Sequence, residues 1–311
     1  MSRIVKFLSE ETGLRPHDVE SIINQAPVSY KRYTIPKRTG GERLIAQPAK
    51  EVKKLQRLLV TRLRALPIHE AATAYICGRS IRDNAERHAS GGPILKFDFQ
   101  NFFPSIKARD WQAYCLRMGV FAEVEDVYLS SRLFFTREPG SSILHLAIGA
   151  PSSPWLSNVL MYEFDSLISD QVAKDKVTYS RYADDLTFSG RRTGFLNQVE
   201  QKLRSTLASI QNPRLKINEQ KTVLATMKYR RVVTGLVLAN DGRVTIGRER
   251  KRNVRAALHQ AFLGKLDREE TGRLAGLLAY IKGVEPQYFE ELALRYGQDL
   301  IKRISSLPIK L

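Results

Sequence analysis

The sequence predicts an α+β fold, in which helices are mixed with antiparallel strands. Apolar residues recur at helical spacing over residues 49–66. Two segments, residues 30–49 and 177–190, have strand-like patterns on both sides of a short turn, which is typical of β-hairpins. The C-terminal part is helical in pattern again, notably over residues 270–283.

The first elements in chain order are a short helix, a hairpin and a longer helix. Asp18 is expected to be the N-cap of a helix that starts with Val19. Gly40 and Gly41 supply the positive φ that the turn of the first hairpin requires. In the longer helix one face is apolar, and it carries Val52, Leu55, Leu58, Leu59 and Leu63.

The middle of the chain brings acidic residues to the ends of apolar segments. Residues 93–99 form a short apolar run that contains Asp98 and is expected to be a buried strand. Residues 149–168 open with Pro and Ser and then become helical in pattern. The second hairpin carries Ala183, Asp184 and Asp185 at its tip.

Composition excludes several classes of protein. The chain has 311 residues, and its 50 Lys and Arg against 32 Asp and Glu give a formal charge of +18. Two cysteines exclude a disulfide framework and a Cys-rich zinc module, and the five histidines show no zinc spacing. No apolar run reaches the length of about 18 residues that a membrane helix needs. We therefore expect a cytoplasmic protein without membrane association.

The positive charge is concentrated in two blocks. Residues 31–64 and residues 216–255 each hold eleven Lys or Arg and at most three acidic residues. One interpretation is a set of solvated helix faces. Two separate blocks with tyrosines nearby fit a groove that follows phosphates better, so nucleic acid is the expected partner.

Three carboxylates carry the expected chemistry. Asp184 and Asp185 alone would be ordinary turn residues. Because an apolar strand delivers Asp98 as well, the three carboxylates can share divalent cations, which prefer oxygen ligands. Two such ions about 4 Å apart activate a hydroxyl and stabilise a leaving phosphate oxygen. The pattern favours nucleotidyl transfer.

The order of several motifs resembles that of reverse transcriptases, and bacterial retron enzymes in particular. The motifs that carry this resemblance are IPKRTGGERLIAQPAKEVKKLQ (35–56), FDFQNFFPS (97–105), GAPSSPWLSN (149–158), YADD (182–185), LKINEQKT (215–222) and VTGLVL (233–238). NAERH (84–88) and Val233-Thr234-Gly235 point to the retron subgroup. The resemblance implies a right-hand polymerase fold, with an N-terminal segment and fingers (1–92), a palm with part of the fingers (93–235) and a short, RNA-recognising helical thumb (236–311).

The resemblance also assigns the catalytic residues. It implies that Asp98, Asp184 and Asp185, with the main-chain carbonyl of Phe99, bind two Mg²⁺ ions, for which Mn²⁺ can substitute. Phe103 occupies the place of a steric gate against the ribonucleotide 2′-hydroxyl. Core packing is the alternative for Phe102 and Phe103, and it is expected to hold for one of them.

Further residues are expected to contact the deoxynucleoside triphosphate. Lys37 and Arg43 match fingers residues that grip the triphosphate. Gly149 and Ala150 belong to the floor under the nucleotide and template, although the glycine can equally serve the backbone. Lys221 matches a lysine that can protonate pyrophosphate, with a plain salt bridge as the alternative. Ile148 departs from the family, in which many members have glutamine.

The RNA and primer contacts are expected in the fingers, at the catalytic hairpin and in the thumb. The residues are Asn84, His88, Tyr182, Val233, Thr234, Gly235, Arg248, Lys251, Arg252 and Arg255. The last four fall on one face of a helix at 3.6 residues per turn. For His88, a structural role is the alternative.

The resemblance implies an RNA-directed DNA polymerase that copies its own structured noncoding RNA. Synthesis would start from a guanosine 2′-hydroxyl and give branched RNA–DNA (msDNA) used in antiphage defence. Expected partners are this RNA and its product, an effector or toxin protein encoded nearby, and host RNase H, because no residues are left for such a domain. Alternatives are a group II intron-like or other bacterial reverse transcriptase, and a non-catalytic RNA-binding scaffold that restrains a toxin.

Overall fold

A computed structural model describes residues 2–37, 40–90 and 92–306. Its helices are α1 (Arg3–Thr12), α2 (Pro16–Gln25), α3 (Lys50–Arg62), α4 (Ile81–Glu86), α5 (Phe102–Ser105), α6 (Ala108–Met118), α7 (Val124–Phe134), α8 (Ser153–Leu160), α9 (Tyr162–Ala173), α10 (Val199–Ser209), α11 (Arg248–Phe262), α12 (Arg268–Val284), α13 (Pro286–Tyr296) and α14 (Gln298–Ser305). None of these helices is long and apolar enough to cross a membrane.

The strands alternate with the helices along the chain. They are β1 (Tyr30–Pro36), β2 (Glu42–Pro48), β3 (Ile94–Asp98), β4 (Thr136–Arg137), β5 (Leu144–His145), β6 (Thr178–Tyr182), β7 (Asp185–Ser189), β8 (Val223–Ala225), β9 (Arg231–Val233), β10 (Leu236–Leu238) and β11 (Val244–Thr245). The mixture of helices with antiparallel hairpins confirms the predicted α+β class.

The chain divides into two compact units. The first comprises Met1–Cys77, Leu95–Phe188 and Gly194–Val223, and the second comprises Gly78–Ile94, Ser189–Thr193 and Leu224–Leu311. Each unit buries an apolar core of its own. Because burial of apolar area is the main favourable contribution to folding, each unit has its own source of stability.

The first unit is built around strands that carry the acidic residues. Strands β6, β7 and β3 are neighbours in this order in one sheet, so β3 lies beside β7 although some 85 residues separate them in sequence. Phe97 on β3 and Phe188 on β7 meet edge to face, with ring centroids 5.9 Å apart. This contact packs β3 against β7 in the core of the unit.

The predicted N-terminal hairpin is confirmed. Strands β1 and β2 pair antiparallel from Tyr30 opposite Pro48 to Pro36 opposite Glu42. Gly40 and Gly41 have φ of +87° and +78°, the region that glycine enters without a steric cost. The expected turn also includes Arg38 and Thr39, which lie outside the described residues.

One expected helix boundary is wrong, and one stretch of helical pattern contains two helices. Helix α2 begins at Pro16, and Asp18 lies in its first turn instead of capping it. Proline suits this position because its missing N–H would have no helical partner there. Residues 149–168 do not form one helix, because Met161 (φ −87°, ψ 0°) separates α8 from α9. The apolar spacing continues through this break, so periodicity does not reveal it.

The second unit consists mainly of C-terminal helices packed with a small sheet. Strand β10 pairs antiparallel with both β9 and β11. Val254 and Leu258 on α11 are fully buried in the core of this unit, as are Leu278 and Ile281 on α12. Helix α12 confirms the helix predicted over residues 270–283.

Candidate active site

The three predicted carboxylates lie at neighbouring points of the central sheet. Asp98 is the last residue of β3, Asp184 lies in the turn between β6 and β7, and Asp185 opens β7. The Phe99 N–H donates to the Asp184 carbonyl oxygen at 3.1 Å, so the end of β3 is bonded directly to the turn. The structure therefore brings together the three residues that the sequence singled out.

A left-handed residue shapes the turn that carries the aspartates. Ala183 has φ of +57°, which is uncommon for a residue with a Cβ. Its carbonyl oxygen accepts a hydrogen bond from Nη1 of Arg181 at 3.2 Å. Tyr182, which was expected to contact RNA or primer, is half-buried at the end of β6. The turn is thus supported from beneath by a side chain of its own hairpin.

Arg181 belongs to a buried polar network. Its side chain and that of Asp165 on α9 are fully buried, and the Nη2–Oδ2 distance is 2.6 Å. Tyr179 donates its hydroxyl to Asp165 Oδ1 at 2.8 Å, and Arg181 Nη1 also donates to Asn158 Oδ1 at 3.1 Å. A buried charge needs such partners, because an unpaired one would be strongly destabilising.

The carboxylates repel one another. Burial and the charges of Asp98 and Asp185 raise the pKa of Asp184 to about 6. Burial also raises the pKa of Asp185, and the negative charge of Asp98 raises it further. Lys221 places Nζ 2.9 Å from Asp98 Oδ2, and this hydrogen bond raises the lysine pKa. A cation bound among these carboxylates would reduce their mutual repulsion and favour their charged forms.

The donor chemistry fits a hard divalent cation. Across residues 2–37, 40–90 and 92–306, no three His, Cys, Asp or Glu side chains form a preorganised metal cage. A complete cage is not what Mg²⁺ requires, since it usually takes one or two carboxylates and fills its other positions with water and substrate phosphates. Asp98, Asp184 and Asp185 supply carboxylates of this kind.

A cavity of about 390 Å³ lies in the first unit. Its lining residues are Gln47, Lys53, Arg57, Tyr75, Phe103, residues 147–151, Ser153 and Pro154. Phe103 lines the cavity and is half-buried, whereas Phe102 is 4% exposed and stacks on Phe99, with 5.8 Å between ring centroids. The structure therefore places Phe103 where a substrate can reach it and Phe102 in the core.

The predicted floor segment meets strand β2. Gly149 has φ of +117°, and a Cβ there would lie 3.0 Å from the Ala46 carbonyl oxygen and from the Ile45 side chain. The Ala46 N–H donates to the Ile148 carbonyl oxygen at 2.8 Å. Glycine at this position thus allows the close approach of two backbones, and Ala150 beside it is buried.

The predicted triphosphate residues lie on the hairpin. Arg43 pairs with Ile35 across the two strands and is exposed, and Lys37 follows β1 and is exposed too. Ile148, the departure from the predicted pattern, is half-buried and lines the cavity.

Three of the residues predicted to contact RNA are buried in this structure. Asn84, His88 and Val233 are at most 1% exposed, so their side chains present no surface to RNA. His88 Nδ1 lies 2.7 Å from the Ser189 hydroxyl, which is the structural role left open above. Thr234 (φ +47°) donates its hydroxyl to the Ile81 carbonyl oxygen, and Gly235 is exposed.

The basic face of α11 differs by one residue from the predicted one. Arg248, Arg252 and Arg255 are exposed. Lys251 instead forms an ion pair of 2.5 Å with Glu285, and its Nζ lies 4.2 Å from the centre of the Tyr288 ring. The charge of Lys251 is therefore largely neutralised by Glu285. Of the four predicted cations, the three arginines remain exposed to a ligand.

Sequence reasoning missed residues whose roles depend on tertiary neighbours. Lys53, Arg57 and Tyr75 line the cavity, and none of them was a predicted site residue, although Lys53 lies within the 35–56 motif and both cations belong to the first basic block. Arg181 had a detectable signal, because strand alternation places it on the same side as Tyr179. An arginine on an inward face predicts an acidic partner.

Comparison with known proteins gives consistent matches. Residues 35–262 match the family model described as "Reverse transcriptase (RNA-dependent DNA polymerase)". The chain is 38% identical to the Retron Ec83 reverse transcriptase of Escherichia coli, over 92% of this chain and 93% of that protein. It is 32% identical to the Retron Ec73 reverse transcriptase of Escherichia coli, over 99% of both chains.

Among solved structures, the chain is similar to telomerase from Candida albicans with a fragment of telomeric RNA. The TM-score is 0.49 at 14% identity, and the match covers 90% of this chain and 61% of that one.

Proposed function

The chain belongs to the reverse transcriptases, and among them to the bacterial retron enzymes, and from this premise we propose that it copies its own structured noncoding RNA into DNA. It is thus an RNA-directed DNA polymerase. The observation that carries the proposal is the convergence of Asp98, Asp184 and Asp185 at bonded ends of β3 and the β6–β7 turn. An RNA-binding scaffold would have no need of three converging carboxylates, in which burial and neighbouring negative charge raise the pKa of both Asp184 and Asp185.

The acidic residues would hold the catalytic metals. Asp98, Asp184 and Asp185, with the Phe99 carbonyl, are the proposed ligands of two Mg²⁺ ions, or of Mn²⁺ in their place. When bound, these ions supply activation of the attacking hydroxyl and stabilisation of the leaving phosphate oxygen. The buried pair of Arg181 and Asp165 keeps the turn with Asp184 in place before substrate arrives.

Other residues would bind the deoxynucleoside triphosphate and exclude competitors. Lys37 and Arg43 grip the phosphates, for which a guanidinium offers two parallel hydrogen bonds. Phe103 in the cavity packs where a ribonucleotide would carry its 2′-hydroxyl. Lys221 keeps its proton at Nζ because the carboxylates raise its pKa, so it can donate that proton to pyrophosphate.

We propose that the domains are an N-terminal segment with fingers (residues 1–92), a palm with part of the fingers (93–235) and an RNA-recognising thumb (236–311). The three exposed arginines of α11 support the assignment of the thumb, since double-stranded RNA is bound largely through phosphate, 2′-hydroxyl and shape. Selection of one RNA would come from the fit of a stem-loop against this helix.

We further propose that synthesis starts from a guanosine 2′-hydroxyl of this RNA and yields branched msDNA. The similarity to two retron reverse transcriptases over more than nine-tenths of the chain supports this step. Removal of the RNA template by host RNase H, and an effector protein with a role in antiphage defence, complete the proposal.

The test is to express the chain together with the structured RNA encoded beside its gene. We expect a DNA product joined to RNA through a 2′–5′ linkage, which resists alkali at one guanosine and is cleaved by a debranching enzyme. A product with a free 5′ end, or DNA made only from added primers, would overturn self-priming while leaving the polymerase assignment intact.

A further inference from the structure

Tyr75 is an aromatic side chain in the wall of the cavity. It is 51% exposed, and its ring centroid lies 6.4 Å from that of Phe103, with 46° between the ring planes. The two rings are neighbours on one wall, because this separation leaves no room for a third group between them. Together they present a larger apolar surface to the cavity than Phe103 does alone.

The backbone of Tyr75 is strained. Its φ of +62° lies in the left-handed region, where a bulky residue is a genuine outlier. Strain of this kind persists only where the surroundings enforce it, and it clusters at sites that hold ligands. Tyr75 lines a cavity that could hold a ligand. The contacts of the residues before it, described next, can enforce its conformation.

The segment before Tyr75 is bonded to the base of the catalytic hairpin. The Arg181 N–H donates to the Ala71 carbonyl oxygen at 2.8 Å, and the Thr73 N–H donates to the Arg181 carbonyl oxygen at 2.8 Å. Asn158 Nδ2 donates to the Ala74 carbonyl oxygen, also at 2.8 Å. Residues 71–74 are buried, and Tyr75 is the first exposed residue after this hydrogen-bonded segment.

The side chain of Arg181, whose backbone bonds residues 71 and 73, also supports the turn that carries Asp184. Arg181 donates to the Ala183 carbonyl oxygen and to Asn158, so a single buried network holds both Tyr75 and the residue before Asp184. Burial raises the pKa of the Tyr75 phenol, the Asp184 charge adds to this, and Arg43 opposes it. Tyr75 therefore lies within electrostatic reach of a proposed metal ligand and of a proposed triphosphate ligand.

We propose that Tyr75 and Phe103 form one aromatic wall for the sugar of the incoming nucleotide, so that Tyr75 is a specificity-determining residue for deoxyribonucleotides. The inference rests on the proposed function of this cavity as the nucleotide site. A 2′-hydroxyl against two rings loses its water without gaining a full set of partners. An apolar pocket rejects an added hydroxyl by roughly 10²-fold, and each ring would supply part of that factor.

The experiment measures the kcat/KM ratio of dCTP to CTP on an RNA template with an annealed DNA primer. Tyr75→Asn removes the ring, and asparagine tolerates positive φ better than most residues. We expect it to lower the ratio by about tenfold and to raise the KM for dCTP, with kcat changed much less. Tyr75→Phe keeps the ring and should stay within about twofold of wild type.

The matched control is Tyr128→Asn on α7, where the tyrosine has the same exposed fraction of 51%. It should leave the ratio unchanged. A wild-type ratio in Tyr75→Asn, a loss confined to kcat, or an equal loss in Tyr75→Phe would overturn the proposed wall while the polymerase assignment stands. If the wild-type chain incorporates neither nucleotide, the proposed function fails, and the inference fails with it.

Discussion

At the level of single residues, the buried ion pair of Arg181 and Asp165 leads to a prediction about the free energy of unfolding. In Asp165→Asn the guanidinium stays buried without its counter-charge, which should lower the free energy of unfolding by roughly 3–5 kcal/mol. Glu163→Gln, on the same helix, breaks the exposed pair with Arg117 and should cost at most about 1 kcal/mol. Urea denaturation of both variants checks this, and equal losses would contradict the role of the buried pair.

The two adjacent phenylalanines should respond in opposite ways. Phe103→Ala opens the cavity and should admit ribonucleotides in a primer-extension assay, with little change in the unfolding midpoint. Phe102→Ala leaves a void beside Phe99 and should cost about 3–5 kcal/mol of stability without relaxing sugar selection. Unchanged ribonucleotide incorporation by Phe103→Ala would show that the gate lies elsewhere.

The three aspartates were predictable from sequence, and the conformation of Tyr75 was not. Asp98 and the Asp184-Asp185 pair stand out because apolar segments deliver carboxylates, a pattern that core packing does not explain. Nothing in the sequence indicates that Tyr75 adopts positive φ, because that conformation is imposed by hydrogen bonds of residues 71–74 to β6 and α8. Such information exists only in the tertiary fold.

Helix α11 is where the sequence came nearest to the structure at the level of elements. The spacing of Arg248, Arg252 and Arg255 correctly predicted one exposed face. Lys251 shares the spacing but not the exposure, because Glu285 and Tyr288 reach it from a segment more than 30 residues later. Periodicity gives the direction of a side chain on its helix, and the neighbouring helices decide what it meets there.

The exposed arginines of α11 provide the prediction at this level. Reversal of Arg248, Arg252 and Arg255 to Glu should weaken binding of the cognate RNA and reduce the slope of log affinity against log salt. The expected decrease is roughly 0.7–0.9 for each lost phosphate contact. Titration of labelled RNA at several salt concentrations measures both quantities.

The matched control for α11 is reversal of three other exposed cations in the second unit, Lys265, Lys302 and Arg303. It changes the net charge equally and should leave the slope nearly unchanged. Self-primed synthesis on the cognate RNA should suffer more from the α11 reversal than extension of an annealed primer does. Equal losses in the two assays would show that this face holds any duplex and does not recognise one RNA.

At the scale of the whole molecule, RNA binding by the basic residues should be separable from DNA synthesis by the three aspartates. The formal charge of +18 is concentrated outside the three aspartates, so most of the affinity for RNA should come from basic residues and fall steeply with salt. The acidic cluster should contribute to chemistry and hardly to binding. The central claim is therefore that the chain binds RNA with one set of residues and makes DNA with another.

The most direct test compares the wild-type chain with the double variant Asp184→Asn, Asp185→Asn on a primed RNA template with deoxynucleoside triphosphates and Mg²⁺. We expect DNA synthesis to be abolished while the RNA affinity and its salt slope stay within about twofold of wild type. Asp170→Asn, an exposed carboxylate on α9, is the control and should retain full synthesis. A wild-type yield of DNA from the double variant would contradict the assignment of the active site.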